Sequence, residues 1–173
     1  MVRTASALLP VDFFTRGYRI SGHVDTRAMT VGDLLNDPLN SYIALDDVYI
    51  GRANSPGEII ASYRYAQLAK DNLLFAIVPE EESFSKRSRS VSYFGKQKFK
   101  AFLALSTFEI EGNFSIAGRI ADLETYLVKG IDAFIAIQNG VARVSNYPDI
   151  TFSGEAFLVN RKRIDLFCLS ESV

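Results

Sequence analysis

The chain has 173 residues, of which 48% are hydrophobic and 23% charged, with a net charge of −1. That balance excludes a disordered or fibrous protein and leaves enough chain to bury roughly 70% of the unfolded surface. It also excludes a global polyanion-binding character, so an electrostatic function would have to rest on a local patch. The 13 Phe and 8 Tyr, with Val and Ile, favour half-buried pleated surfaces over helices. Cys168 is the single cysteine, which excludes an intramolecular disulfide and a cysteine-based zinc site. A buried, inert thiol in a reducing compartment is the expectation. Between Met1 and Phe14 the apolar run from Ala7 is interrupted by Pro10, unlike a signal peptide, and no run approaches the ~18 apolar residues of a membrane span. A cytoplasmic protein with no membrane partner is expected.

In chain order, the first element is an alternating run, Val11, Phe13, Tyr18, Ile20 and Gly22, which predicts one long strand with one buried face. Thr30-Val31-Gly32-Asp33-Leu34-Leu35 follows with helical marks: Thr30 and Asp33 make an acidic variant of the capping box, and Pro38 stops the helix. Ser41 to Leu45 reads as a buried strand running into a polar turn at Asp46-Asp47. Ser55-Pro56-Gly57-Glu58 has the marks of a helix start. Ile60, Ala66 and Leu68 come next, and Leu74, Ala76 and Val78 close the series.

The stretch from Pro79 to Lys100 differs. It passes from Glu80, Glu81 and Glu82 through a Ser-rich basic segment with Lys86, Arg87 and Arg89 to Lys96, Lys98 and Lys100, with Phe84, Tyr93 and Phe94 interleaved.

Beyond it the first pattern returns at a spacing of about 90 residues. Ala101, Leu103, Phe108, Ile110 and Gly112 repeat the opening strand, and Ile120 to Leu123 repeats the helical mark, closed by Gly130. Ala133 to Ile137 runs into Gln138-Asn139; Ile150, Ala156 and Leu158, then Ile164, Leu166 and Cys168, complete the copy. Thr151 to Phe157 alternates around Gly154, which suits a bulged strand and decides residues 59–69 for strand as well. The expected fold class is therefore mainly β (α+β), two tandem β-α-β-β-β small-barrel repeats. They occupy residues 1–79 and 97–173, joined by an acidic, then basic, Ser-rich linker at 80–96.

No catalytic, cofactor-binding or metal site is expected. His23 is the only histidine, so a metal site has no second imidazole, and its counterpart in the second copy is Asn113. Asp25, two residues on, is a candidate charge partner. Asp46 and Asp47 are too few oxygens for a hard cation, which takes about six or more. Gly51 and Gly57 are isolated and make no phosphate-binding loop. The acidic run at Glu80 to Glu82 reads as solvated. The basic set Lys86, Arg87, Arg89, Lys96, Lys98 and Lys100, with Tyr93 and Phe94, joins phosphate-neutralising charge to stacking surfaces, as nucleic-acid contacts do, and is equally what a solvated linker carries.

Ser41-Tyr42-Ile43-Ala44-Leu45-Asp46-Asp47-Val48 is similar to the end of the first Sm motif, and Lys70-Asp71-Asn72-Leu73-Leu74-Phe75-Ala76-Ile77-Val78 resembles the second. Asn160-Arg161-Lys162-Arg163-Ile164-Asp165-Leu166 repeats the latter. The resemblance implies small bent barrels that join edge to edge. It departs where that family reads RNA: the first-motif Asn falls at Tyr42 or Ser41, and the second-motif Arg-Gly at Lys70-Asp71 or Arg161-Lys162. Three functions follow in order of expectation. The first is a non-enzymatic interaction or assembly module forming a homo-oligomer, dimer or trimer; the second, a nucleic-acid-binding module using the basic linker; the third, a small-molecule sensor with its ligand between the copies.

Overall fold

The expected single opening strand is a hairpin in each half. In a computed structural model describing residues 8–84, 96–116, 123–130 and 132–171, the chain turns back at Thr15-Arg16-Gly17, where the Thr15 amide donates to the Tyr18 carbonyl at 3.0 Å. It turns again at 106–107. The first half then reads β1 (Leu8–Phe14), β2 (Tyr18–Asp25), α1 (Val31–Asn36), β3 (Tyr42–Arg52), β4 (Ile59–Ala69) and β5 (Phe75–Val78). A short helix, α2 (Glu80–Ser83), follows. The second half reads β6 (Gln97–Leu105), β7 (Phe108–Ile116), α3 (Leu123–Lys129), β8 (Phe134–Val144), β9 (Tyr147–Asn160) and β10 (Ile164–Glu171). A turn of 3-10 helix, at 70–72 and at 161–163, leads into β5 and β10.

The β-α-β-β-β small-barrel repeat is thus not what forms. Each half has five strands with its helix after the second, and all ten lie in one open antiparallel sheet of order β10-β6-β7-β8-β9-β5-β1-β2-β3-β4. The physical reason is the tight turn at 15–17 and at 106–107, which reverses the chain between two alternating runs of opposite parity. Within the sheet the halves have the same internal order, β5-β1-β2-β3-β4 and β10-β6-β7-β8-β9, and they meet where β5 pairs with β9.

Residues 59–69 do form a strand. Asp46-Asp47 and Gln138-Asn139, expected to be turns, instead lie inside β3 and β8 as bulges. Ser21 pairs with Tyr49 and His23 with Asp46, leaving one extra residue in β3; Glu111 with Val141 and Asn113 with Gln138 repeat the irregularity. Asp47 and Asn139 both have φ 48°, the left-handed region that Asp and Asn tolerate best after Gly. Opposite each bulge stands a glycine. A Cβ on Gly112 would come within 2.5 Å of Ile137 Cγ2 and 2.9 Å of the Gln138 carbonyl oxygen, so the close approach of the bent strands requires its absence.

The repeat spacing is not uniform. The turn between β8 and β9, Ser145-Asn146, is shorter than the connection from Ala53 to Glu58, but β9 (14 residues) is longer than β4 (11 residues), so on balance the later strands slip by one residue. Leu45 pairs with Ala66 as Ile137 pairs with Phe157, and Phe13 pairs with Ala76 as Leu103 pairs with Phe167. A slip of one turns a side chain to the opposite face. Cys168 is accordingly the counterpart of Ile77, not of buried Val78, and is exposed rather than the buried thiol expected.

Thr30 caps α1 as expected: its Oγ1 accepts from the Asp33 amide at 3.1 Å and donates to the Phe84 carbonyl at 2.8 Å. Two apolar clusters fill the molecule, and neither respects the boundary between halves. One gathers Phe14, Leu74 and Phe75 with Phe108, Phe152 and Phe157; the other gathers Phe13, Val24 and Leu45 with Phe134, Ala156 and Leu158.

Candidate interaction surface

What joins the halves is a strand pair. Phe75, Ala76, Ile77 and Val78 of β5 lie opposite Val159, Leu158, Phe157 and Ala156 of β9. The Asn160 amide donates to the Leu74 carbonyl at 2.9 Å, so Asn160, Leu158 and Ala156 turn their backbone groups toward β5, while Phe157 and Val159 turn theirs toward β8. Beneath the pair, Phe14 and Phe75 stack with ring centroids 4.5 Å apart, and Phe75 meets Phe108 edge-on at 5.0 Å. Offset and edge contacts of this kind add to what burial alone supplies.

Polar groups fix the pairing. The buried Asn160 side chain donates to the Leu73 carbonyl at 2.9 Å and accepts from the Lys162 amide at 3.1 Å. Asn36, at the end of α1, accepts from the Phe134 amide at 2.8 Å and donates to the Phe134 carbonyl at 3.4 Å, tying the first helix to the second half. The Arg163 guanidinium donates to the Asp71 carbonyl at 2.9 Å.

The outer ends of the sheet are β4 and β10. Among the described residues nothing pairs with their far sides. Their positions correspond to the two strands of the internal joint, since β4 follows β3 as β9 follows β8, and β10 flanks β6 as β5 flanks β1. β9 is buried continuously from Ala156 to Asn160, whereas β4, one residue type at a time, shows the same stretch exposed or half-buried from Tyr65 to Ala69. β4 has eleven residues, no proline and a single charge, Arg64; an irregularity at Ile60, where its register to β3 shifts, interrupts its start, and from Ala61 to Ala69 it carries no such interruption.

The residues singled out in the sequence fall elsewhere. Lys96, Lys98 and Lys100 are exposed at the start of β6. Lys86, Arg87, Arg89, Tyr93 and Phe94 lie outside the described residues. His23 sits on β2 between Pro10 and Asp46, its Nδ1 buried without a hydrogen-bond partner. The candidate pairing with Asp25 does not form: Arg27 takes that carboxylate, and its hydrogen bonds lower the Asp25 pKa to about 2. The acidic run is not wholly solvated either, because Glu82 accepts from the Val31 amide at 3.1 Å at the open end of α1. Among the described residues no group of three or more His, Cys, Asp or Glu side chains could hold a metal ion, and no helix is long and apolar enough to cross a membrane.

A cation closes each half's helix. The Lys70 ammonium donates to the Asp37 carbonyl at 3.1 Å, and the Arg161 guanidinium donates to the Gly130 carbonyl, each placing positive charge at a helix C-terminus. Burial pushes the Lys70 pKa down, partly offset by the Asp37 carboxylate. Between the halves lies a groove of about 320 Å³, lined by Arg16, Arg52, Asn54 and Asn146 with Tyr18 and Tyr147. Ala53, Phe108 and Val144 add apolar lining, and the groove is open, unlike the deep enclosed pocket that a small-molecule sensor calls for.

No protein-family model matches the chain, no curated protein matches it in sequence, and no solved structure matches its fold.

Proposed function

We propose that the protein is a non-enzymatic assembly module that forms a homo-oligomer, a dimer or a trimer, by extending its sheet at the open edges β4 and β10. One observation carries this reading. A strand pair of the kind that is complete inside the chain, β5 with β9, has its two counterparts at the ends of the same sheet, where among the described residues no further strand pairs with them. Unpaired amides and carbonyls along a long, nearly uncharged strand favour the addition of another strand.

The mass of the full chain in solution, measured by light scattering at micromolar concentration, tests the reading. The alternation of backbone direction points the Gln67 amide outward from β4, so Gln67→Pro removes an edge donor while sparing the ladder to β3. The unsubstituted chain should scatter as two or three copies and Gln67→Pro as one, with far-UV circular dichroism unchanged. A single-copy mass for the unsubstituted chain would overturn the reading.

A second reading, nucleic-acid binding, draws on the exposed series Lys96, Lys98 and Lys100. Each phosphate contact contributes about 0.7 to 0.9 to the salt slope, so replacing all three with Ser should lower the slope by about 2 to 3. An unchanged slope would remove this reading.

A further inference from the structure

We infer that copies of the chain join head to tail, β10 of one lying on β4 of the next in the register that β5 and β9 use inside the chain. This rests on the assembly reading above and adds which edges meet and how. The alternatives it competes with are two-fold joints, β4 on β4 or β10 on β10.

The register follows from equivalence. β1 pairs with β5 as β6 pairs with β10, which makes Phe75, Ala76, Ile77 and Val78 the counterparts of Leu166, Phe167, Cys168 and Leu169. β3 pairs with β4 as β8 pairs with β9, which makes Val159, Leu158, Phe157 and Ala156 the counterparts of Leu68, Gln67, Ala66 and Tyr65. Carrying the internal pairing across sets Leu166 opposite Leu68, Phe167 opposite Gln67, Cys168 opposite Ala66 and Leu169 opposite Tyr65. Phe167 and Gln67 then exchange backbone hydrogen bonds, as do Leu169 and Tyr65. Cys168 and Ala66 form a non-hydrogen-bonded pair, the closer kind.

Exposure supports the head-to-tail choice. Phe134, covered by the end of α1 at the internal joint, is 4% exposed, and its counterpart Tyr42 is 58% exposed. Phe75 is 0% exposed, and its counterpart Leu166 is 53% exposed. Val128, in the last turn of α3, is 72% exposed, and in a head-to-tail joint it would reach Tyr42 of the next copy much as the end of α1 reaches Phe134. A β4-on-β4 joint would leave Leu166 and Val128 in water, and a β10-on-β10 joint would leave Tyr42 there.

The outer joint is also the looser one. Ala69 stands where Asn160 locks the inner joint, and Ala66 where Phe157 fills it. Identical head-to-tail joints close into a ring or continue as a filament, and the geometry of the inner joint is the one each step repeats.

Cys168 being the sole cysteine makes the register directly testable. In Ala66→Cys, each joint would bring two thiols opposite one another, with Cα atoms about 4.5 Å apart, inside the range a disulfide spans. Under mild oxidation the full-length variant should give covalently linked chains on a non-reducing gel, with the longest product marking the ring size. Gln67→Cys, and Ala66→Cys combined with Cys168→Ser, should give at least tenfold less. Two results overturn the inference separately. If the protein scatters as an oligomer but Ala66→Cys links no more than the controls, the edges or register are wrong and the assembly reading survives. If it scatters as a single copy and does not link, both fall.

Discussion

Replacing Phe157 with Ala places at the inner joint the residue that the outer edge carries at Ala66. Phe157 is 0% exposed and lies 5.5 Å, centroid to centroid, from Phe75 of the other half. Truncating a buried Phe costs about 3 to 5 kcal/mol, the larger figure applying where the surroundings cannot collapse into the space. On one side of the ring stands Gly140, whose missing Cβ would sit 2.6 Å away, so that side offers no side chain to move in. The upper part of the range is therefore expected, against a total domain stability of roughly 5 to 15 kcal/mol. Urea unfolding at one fixed chain concentration, followed by both circular dichroism and tyrosine fluorescence, reads the effect. Because the Phe cluster draws on both halves, the two signals should move together in a single transition at lower urea. A loss under about 1 kcal/mol, or two transitions of which only one shifts, would refute the shared core.

Two further expectations test particular positions. Gly112→Ala forces a Cβ against a backbone carbonyl and should destabilise by about 1 to 3 kcal/mol, whereas at Gly22 the nearest atom lies 3.3 Å from the new Cβ and the cost should be under about 1 kcal/mol; equal effects in urea unfolding would contradict the bulge geometry. Burial lowers the Lys70 pKa from the usual 10.5, so just below that pH the unfolded chain binds a proton that the folded chain does not. Stability should rise with pH across that interval by more in the unsubstituted protein than in Lys70→Met, and parallel curves would show that Lys70 is not desolvated.

Much of the sheet is legible in the sequence. Alternation marks the strands, Thr30 marks the start of α1, and comparison of the halves correctly overrides the helix-like Ser55-Pro56-Gly57-Glu58 in favour of β4. The hairpins escape because an alternating run resumes soon after each turn, yet a signal is present. Val11 and Phe13 are odd-numbered and Tyr18 and Ile20 even, just as Leu103 and Leu105 give way to Phe108 and Ile110; a single strand keeps one parity. The bulges are hidden because Asp and Asn serve a bulge and a turn for the same reason, tolerance of positive φ. Cys168 is misplaced by a slip of one residue, the net of a shorter connection before β9 and a β9 longer than β4. The inner joint pairs residues far apart in the chain and leaves only an indirect trace: Ala156-Phe157-Leu158-Val159 is continuously apolar, as a strand covered on both faces tends to be, while Ala66-Gln67-Leu68 is not.

The most direct test of the assembly account is the light-scattering mass of the full chain beside that of Gln67→Pro at the same micromolar concentration. The account predicts two or three copies for the first and one for the second, with the same circular dichroism. A single-copy mass for the unsubstituted chain would contradict it.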